Sequence, residues 1–569
     1  MRILGLNHGE INSSASILID EKKILGALEE RFTRDKFTKK FPINALRFVL
    51  ENTKTELKNC HAIGQGWYPG LNWIKYNPIF SENRDYREKY FYTIPDHLFK
   101  LLPKRIPGNY AKLSLDPASS LPDIYFIRHH LCHAANAFFL SNYNEAAIIT
   151  ADFKGELEST TLSIGKKNNI KNIYSENTPN SLGVFYSTFT ELLGYKPDSD
   201  EWKVMAISAY DARDKNIINK IKNTYKLIGD GKVEFDQSFY KSTIVDRPNL
   251  FTPKLLKLLG GQNYVKKKNS DWHKAVAYGM QHCAEEIALY LINYLHKKTK
   301  LKNLTASGGF FMNSVLNGKI LEKTNFKNIF IPFAPTDAGN SIGASLYIAH
   351  CIYNKKRKLV NNESFIGPAF SKNKVAQILS SKKIKFKKIE KDFSRNIAEL
   401  IDKNKILGFF SGKMEFGDRA LGNRSILADP RKAKIKDEIN SAIKYRESFR
   451  PFAPIVIEEY ASKFFDVDNG FTNQYMEKVV KVRDRFKHKV PAVVHFDGSC
   501  RVQTINKKRE PILYKILLEF EKISGLPILL NTSFNLNGEP IVLSPEDAIS
   551  TFYKSGLGQI VIEGHLLQK

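Results

Sequence analysis

Apolar and polar positions at the start of the chain follow the pattern of short β-strands. The segment MRILGLNHGEINSSASILIDEKKILGALEE has three apolar runs, separated first by a polar loop and then by a charged turn. Such runs are typical of adjacent antiparallel strands. The later segment AAIITADFKGELESTTLSIGKKNNIKNIYSE repeats this plan, with Asn7 aligned to Asp152 and Ser14 to Ser159. The repetition predicts a duplicated α/β fold led by two three-stranded units.

Two such halves facing each other form the plan of the actin-like ATPase fold, although unrelated hairpins would give a similar pattern. Helices are predicted between the strands, because FPINALRFVLENT and the long DWHKAVAYGMQHCAEEIALYLINYLHKK have apolar positions at helical spacing. The segment SGGFFMNSVLNGK follows the apolar LKNLTA and predicts a Gly-Gly turn before a helix. Backbone N–H groups at such a turn are suited to phosphate.

A change in composition predicts the domain boundary. The polar and charged run NKKRKLVNN follows residue 353, and the text after it alternates strand-like and helix-like segments. We expect one α/β domain over residues 1–355 and a second α/β domain over residues 364–569, with the boundary near Ser364.

Lysine dominates the charge of this 569-residue chain, whose formal net charge is +28. The lysines occur in short runs over the whole length, which favours a diffuse effect on solubility over a dedicated nucleic-acid surface. Five widely separated cysteines without a CxxC pair favour reduced thiols and a cytoplasmic protein. No apolar run is long enough to span a membrane.

Two histidines form the first candidate site. His129 and His133 in IRHHLCHAANAFF are four residues apart, so a helix would place both imidazoles on one face. Asp152, which ends an apolar run, and Asp337, in the loop PTDAGN, could add carboxylate ligands. A mixed His/Asp set suits iron, manganese or zinc. The alternative is an ordinary helix with polar histidines.

Cationic residues form the second candidate site. The segment GKMEFGDRALGNRSILADPR places Arg419, Arg424 and Arg431 among glycines after an apolar run. Arginine matches phosphate or carboxylate geometry, and glycine lets the backbone approach an anion. Three later segments add donors: AIKYRESFRPFAPIV, HFDGSCRVQTI and PILLNTSFNLNGEPIV. We therefore expect a shared anion pocket in the second domain, with solvated basic turns as the alternative.

These segments, taken together, resemble the O-carbamoyltransferase family, which includes nodulation-factor and tobramycin-type antibiotic carbamoyltransferases. The resemblance covers nearly the whole chain, and its most specific motifs are MEFGDRALGNRSILADPR, FRPFAP, DGSCRVQT and LLNTSFNLNGEPIV. It implies an actin-like (ASKHA) first domain and a YrdC-like second domain. It also implies that carbamoyl phosphate and ATP give carbamoyl adenylate, from which the carbamoyl group passes to a hydroxyl.

The resemblance assigns roles to residues at matching motif positions. Those of the first domain would bind a divalent metal, Fe²⁺ first and Mn²⁺ or Zn²⁺ as alternatives, and ATP. Those of the second would bind carbamoyl phosphate. The metal ligands are His129, His133, Asp152 and Asp337; the ATP residues are Gly308, Gly309, Asn313 and Asp337; the carbamoyl phosphate residues are Arg419, Lys444, Arg450, Arg501, Asn531 and Ser533.

The chain departs from the family pattern at two places. Ile11 stands where the family has a histidine that activates the acceptor hydroxyl, so His8, Glu10 and the adjacent Asn12 become the candidate catalytic residues of that loop. Asp418 stands where the family usually has proline, directly before Arg419. An acid at this position could change the affinity for an anion.

The expected partner is a small-molecule or saccharide acceptor, such as a polysaccharide precursor or a natural product. Nucleic acid is not expected as a partner, and a homodimer is compatible with the sequence. Two alternatives stay open. The chain could act in tRNA threonylcarbamoylation, which the positive charge favours, or it could be a carbohydrate-binding homologue that has lost transfer through the change at Ile11.

Overall fold

The computed structural model describes residues 1–9, 11–68, 122–241, 250–261, 270–358, 363–404, 406–447, 449–450 and 452–569. The first sheet has five strands in the order β3-β2-β1-β4-β5. The first three strands are antiparallel neighbours, and β4 and β5 extend the sheet in parallel beyond β1. The bounds are β1 Arg2–Asn7, β2 Ser14–Ile19, β3 Lys23–Leu28, β4 Ala62–Gln65 and β5 Asp123–Phe126.

A second five-stranded sheet repeats this topology. Its three-stranded unit β6-β7-β8 is antiparallel, and β11 and β12 continue it in parallel beyond β6. The order β8-β7-β6-β11-β12 is thus that of the first sheet, which confirms the duplicated fold. The bounds are β6 Glu145–Ala151, β7 Glu158–Lys166, β8 Asn169–Asn177, β9 Tyr225–Gly229, β10 Lys232–Phe235, β11 Asn303–Ser307 and β12 Asn328–Phe330, with β9 and β10 forming a separate hairpin.

Two helices join these sheets at the centre of the first half. Helix α10 packs on β1 and β2, helix α3 packs on β6 and β11, and the two helices pack on each other. The first-half helices are α1 Glu29–Thr33, α2 Ile43–Asn52, α3 His129–Leu140, α4 Leu182–Leu192, α5 Glu201–Ser208, α6 Lys215–Lys222, α7 Pro253–Leu259, α8 Asp271–Thr299, α9 Ser314–Lys323 and α10 Asn340–Tyr347. The predicted helices correspond to α2, α3, α8 and α9.

The second half has a mixed eight-stranded sheet in the order β13-β22-β21-β14-β15-β20-β16-β19. The strands are β13 Lys387–Lys388, β14 Ile406–Phe410, β15 Arg424–Ala428, β16 Ala453–Ile457, β17 Val480–Lys481, β18 Ser499–Cys500, β19 Gln503–Ile505, β20 Ile528–Ser533, β21 Gln559–Ile562 and β22 His565–Gln568. The helices are α11 Lys372–Ser381, α12 Phe393–Asn404, α13 Lys434–Glu438, α14 Ala461–Phe464, α15 Asp484–Lys487, α16 Pro511–Ser524 and α17 Pro545–Tyr553.

The two halves share a buried apolar cluster. Phe333 of the first half packs edge-on against Phe416 and Tyr475 of the second half, with ring centroids 6.0 and 5.7 Å apart. The chain between the halves is described up to residue 358, where Arg357 donates to the backbone carbonyl of Tyr143 at 2.6 Å. Among the described helices, none has the length and apolar character needed to cross a membrane.

A candidate metal and anion site

The four predicted metal ligands come together at the centre of the first half. One face of α3 provides His129 and His133, the end of β6 leads into Asp152, and Asp337 begins a short helical turn before α10. One ligand atom from each of these residues lies within 4.8 Å of the other three. The i, i+4 spacing therefore produced the shared helix face that the sequence predicted.

The distances within this cluster are short. Nε2 of His129 and Nε2 of His133 are 3.1 Å apart. Oδ2 of Asp152 is 3.0 Å from Nε2 of His133, and Oδ1 of Asp337 is 3.4 Å from it. Both imidazoles are buried, so water cannot easily replace these contacts.

The second ring nitrogen of His133 indicates that Nε2 is available to a metal. Nδ1 of His133 lies 3.4 Å from the hydroxyl of Ser307, whose proton is donated to the carbonyl of Pro335 at 3.2 Å. Nδ1 must then carry the proton of the neutral ring, and Nε2 keeps its lone pair. Two nitrogens bound to one ion at about 2.1 Å lie at most about 4.2 Å apart, so the observed spacing fits a shared ion.

The electrostatics of the cluster also fit a cation. Burial opposes protonation of His129, but Asp337 and Asp152 outweigh it and raise its pKa. Burial raises the pKa of Asp152, but the adjacent imidazoles of His129 and His133 more than reverse this and hold its pKa well below the usual range. A buried carboxylate, that of Asp337, and a half-buried one, that of Asp152, thus attract positive charge beside the two imidazoles.

Two supporting residues were missed by sequence reasoning. The side-chain amide of Asn340 lies 3.3 Å from Nδ1 of His129 and 3.3 Å from Nε2 of His133. Glu156 accepts hydrogen bonds from the backbone N–H of His129 at 3.0 Å and of Tyr68 at 2.7 Å. Asn340 lies three residues after Asp337 in the same motif, which is the signal that could have identified it.

The predicted ATP residues lie beside this cluster. Gly308 has φ of +101°, and a Cβ atom there would lie 2.1 Å from the carbonyl oxygen of Ala151. This close approach lets the N–H of Gly309 donate to Oδ2 of Asp152 at 2.9 Å. Asn313 caps α9 by accepting from the N–H of Leu316 at 3.1 Å.

The three candidate catalytic residues of the first loop have different positions. Ile11 and Asn12 line the large cavity described below, and Asn12 has a left-handed backbone with φ of 61°. His8 is buried instead and packs edge-on against Phe41, with ring centroids 5.1 Å apart. Glu10 lies outside the described residues.

The predicted anion residues of the second half face one cavity. Arg419, Lys444, Arg450, Arg501, Asn531 and Ser533 all line it, as does Arg446. Burial lowers the pKa of Arg446 to about 9, and the neighbouring Arg450 contributes in the same direction. Burial and Arg419 together lower the pKa of Arg501 to about 9. These cations repel one another, so a bound anion would relieve the repulsion.

Of the three arginines in GKMEFGDRALGNRSILADPR, Arg419 alone lines this cavity, so the expectation of an anion pocket is wrong for Arg424 and Arg431. Arg424 is fully buried, and its guanidinium donates to backbone carbonyls and lies 3.5 Å from the ring centre of Phe410. Arg431 pairs with Asp429, with a second contact to Asp402. Neither Arg424 nor Arg431 lines the cavity, whereas Arg419 does.

The same cavity reaches both groups of residues. Its volume is about 1660 Å³, and Asp152, Asp337 and Gly309 line it together with the cationic residues. Asp418 links the metal cluster to the cationic group. It directly precedes Arg419, and its Oδ2 accepts a hydrogen bond at 2.8 Å from the hydroxyl of Thr336, which directly precedes Asp337. The metal cluster and the cationic group therefore open into one space between the halves.

Comparisons with known proteins agree with both halves of this architecture. A model described as "Carbamoyltransferase N-terminus" matches residues 2–346, and one described as "Carbamoyltransferase C-terminus" matches residues 398–569. The chain belongs to the carbamoyltransferase family.

Relatives of this carbamoyltransferase match along most of its length. An uncharacterized protein of Synechocystis sp. is 30% identical, and the alignment covers 100% of this chain and 96% of that protein. Nodulation protein NolNO of Sinorhizobium fredii is 31% identical, with coverage of 100% and 80%. Nodulation protein NolO of Bradyrhizobium diazoefficiens is 33% identical, with coverage of 78% and 79%.

Proposed function

We propose that this carbamoyltransferase hydrolyses carbamoyl phosphate to carbamate and phosphate and joins the carbamate to the AMP part of ATP with release of pyrophosphate. The carbamoyl group of the resulting carbamoyl adenylate then passes to a hydroxyl of a saccharide or a related natural product, with release of AMP. The observation that carries the proposal is the single cavity lined by both residue groups. A donor bound at the cations and a nucleotide bound near the carboxylates would share one cavity.

The cationic residues suit the first step. Arg419, Arg450 and Arg501 supply fixed guanidinium groups that can neutralise a phosphate, and Lys444 is held beside Ser533 by its contacts with that residue and Asn535. Burial and the neighbouring cations keep the pKa of Lys444 well below its usual range. An arriving dianion would therefore stabilise the charged amine.

His129, His133, Asp152 and Asp337 would hold the divalent metal. When bound, the ion would supply positive charge to the triphosphate and to the reacting carbonyl. The backbone N–H of Gly309 donates to Oδ2 of one of these ligands, Asp152, at 2.9 Å. Asn12 lies on the cavity wall, which supports the proposal that it contacts the acceptor hydroxyl. The saccharide acceptor is proposed because two relatives are named nodulation proteins.

Pyrophosphate release from ATP tests the proposal. We expect release with ferrous or manganous ion that depends on carbamoyl phosphate and requires no acceptor. Folded, metal-loaded protein that releases no pyrophosphate with carbamoyl phosphate would contradict the adenylate-forming step.

Two variants separate the residue groups. Arg450→Ala should reduce the use of carbamoyl phosphate by about a thousandfold, because a fixed guanidinium that neutralises phosphate contributes several kcal/mol. His133→Ala should leave carbamoyl phosphate binding intact in metal-free protein and impair adenylate formation. Arg395→Ala and His488→Ala, both at exposed positions, are the matched controls. If Arg450→Ala and His133→Ala each lost carbamoyl phosphate binding and adenylate formation to the same extent, the division of roles between the cationic residues and the metal ligands would be contradicted.

A further inference from the structure

The side-chain oxygen of Asn531 is one of the buried polar atoms of the cavity wall that lack a partner among the described residues. The side chain of Asn531 lines the cavity together with the cationic residues and is only 2% exposed. Its Oδ1 has no hydrogen-bond partner within the part of the chain that the structure describes. A buried acceptor without a donor is costly, so such an atom indicates a ligand group that would pair with it.

The orientation of this amide is fixed by a chain of hydrogen bonds. Nε2 of Gln503 donates to the carbonyl of Leu421 at 2.8 Å, which turns Oε1 of Gln503 toward Asn531. Nδ2 of Asn531 donates to that oxygen at 2.9 Å and to the carbonyl of Ala420 at 3.0 Å. Turning either amide over would place two oxygens against each other. Oδ1 of Asn531 is therefore a fixed acceptor.

A fixed acceptor beside cationic residues determines which part of a small ligand can lie against it. Phosphate oxygens are themselves acceptors, so they would be repelled by Oδ1 and attracted to Arg419 and Arg501 on the same wall. The partner of Oδ1 must carry an N–H or O–H donor. A ligand that combines an anion with a neutral donor satisfies both kinds of group at once.

We infer that Asn531 is the residue that distinguishes carbamoyl phosphate from other acyl phosphates by accepting a hydrogen bond from the carbamoyl nitrogen. This inference rests on the proposed function. The carbamoyl NH₂ is a pure donor because its lone pair is delocalised into the carbonyl. Acetyl phosphate has the same charge and similar size but presents a methyl group, which leaves Oδ1 buried and unpaired.

The test compares carbamoyl phosphate with acetyl phosphate on the full chain. Calorimetry without ATP gives the two dissociation constants, and pyrophosphate release gives the two kcat/KM values. We expect wild-type protein to prefer carbamoyl phosphate on the order of a hundredfold. Equal affinity for the two phosphates in wild-type protein would overturn the inference without any variant.

Asn531→Leu keeps the branched side-chain shape and removes the acceptor. It should weaken the binding of carbamoyl phosphate and leave the binding of acetyl phosphate nearly unchanged, so that the ratio of the two affinities falls toward one. Arg450→Lys is the matched control on the phosphate side, and it should weaken both ligands while preserving their ratio. A parallel loss of both ligands in Asn531→Leu would assign Asn531 to phosphate binding instead.

Gln503→Met keeps Asn531 but removes the group that orients it, and it provides a second variant if Asn531→Leu does not fold. Its preference should be intermediate, because the freed amide can turn either face to the ligand. An unchanged preference would contradict the hydrogen-bond chain. If wild-type protein binds carbamoyl phosphate selectively but releases no pyrophosphate, the proposed function fails while the role of Asn531 stands. If it binds neither phosphate, both fail.

Discussion

Arginines a few residues apart have different roles, and the atoms around each guanidinium decide which. Nη1 of Arg424 donates to the carbonyls of Ser411 at 3.0 Å and Gly412 at 3.1 Å, and Nη2 donates to the carbonyl of Pro368 at 3.3 Å. Burial lowers its pKa to about 10. Arg424 therefore ties the start of the second half together, and because it is fully buried it does not line the cavity.

Arg424→Met should lower the free energy of unfolding by about 3 kcal/mol, because several buried carbonyls lose their donor. Carbamoyl phosphate affinity of the folded protein should stay close to that of wild type. Denaturant unfolding and calorimetry measure the two quantities. A large loss of carbamoyl phosphate affinity at an unchanged free energy of unfolding would indicate that Arg424 binds the anion after all.

His495 is a second residue whose partners define its state. The hydroxyl of Ser499 donates to Oδ1 of Asp497 at 2.6 Å, so Nδ1 of His495, 3.1 Å from that hydroxyl, must be the donor in their contact. Burial lowers the pKa of His495 to about 4; Asp497 opposes this shift, and Arg501, Lys436 and Lys481 add to it. The ring is therefore neutral at pH 7.

The depressed pKa of His495 predicts a pH dependence of stability. Between pH 6.5 and about 4 the unfolded chain binds a proton that the folded chain does not, so stability falls as the pH is lowered through this window. The slope for one such group is at most about 1.4 kcal/mol per pH unit. His495→Asn should have a smaller difference in Tm between pH 7 and pH 5 than wild type. An identical difference would contradict the assignment.

The conformation of the turn between β11 and α9 depends on one glycine, Gly308. Because the Cβ of an alanine at position 308 would lie 2.1 Å from the carbonyl oxygen of Ala151, Gly308→Ala should displace the turn. Asp152 would lose its bond from Gly309, and metal affinity should fall at least tenfold. Titration with Mn²⁺ measures this.

Gly525→Ala is the matched control, because Gly525 also has positive φ, +71°, but no atom lies within 4 Å of its added Cβ. It should cost about 1 kcal/mol of stability and leave metal affinity unchanged. Equal metal affinity in the Gly308 variant would show that the turn does not position Asp152.

At the element scale, the sequence predicted those parts of the fold that are set by local periodicity. Helix α3 and the repeated strand units were predictable because side-chain spacing alone defines their faces. The different roles of Arg419 and Arg424 were not predictable, because both follow the same apolar run among glycines. Their partners come from distant segments: Tyr475 accepts from Arg419, and Pro368 from Arg424.

For the whole molecule, the important feature is how the two halves meet at the cavity. Helix α1 and the residue that follows it contact the second half: Arg31 of the helix donates to the carbonyl of Gly417, and Arg34 donates to that of Ile541, each at 2.7 Å. Gly417 precedes Asp418, and Asp418 accepts from Thr336. The loop that bears Arg419 is thus fixed directly against the loop that bears Asp337.

This contact predicts that the two substrate regions are coupled. Thr336 and Asp418 each precede a residue of one group, Asp337 and Arg419, and their side chains are joined by a 2.8 Å hydrogen bond. Occupancy of one loop should order the other, so carbamoyl phosphate should raise Mn²⁺ affinity severalfold and Mn²⁺ should raise carbamoyl phosphate affinity by the same factor.

Thr336→Val and Asp418→Ala should each reduce this factor, and the double variant should reduce it no further than the stronger single variant, because both remove the same bond. Asp418→Asn retains an acceptor oxygen and should preserve most of the coupling. Calorimetric titration of each ligand with and without the other measures the factor in every variant. Additive effects of the two changes, or an undiminished factor in both, would mean that the halves communicate through other contacts, of which Phe333 against Phe416 and Tyr475 is the next to test.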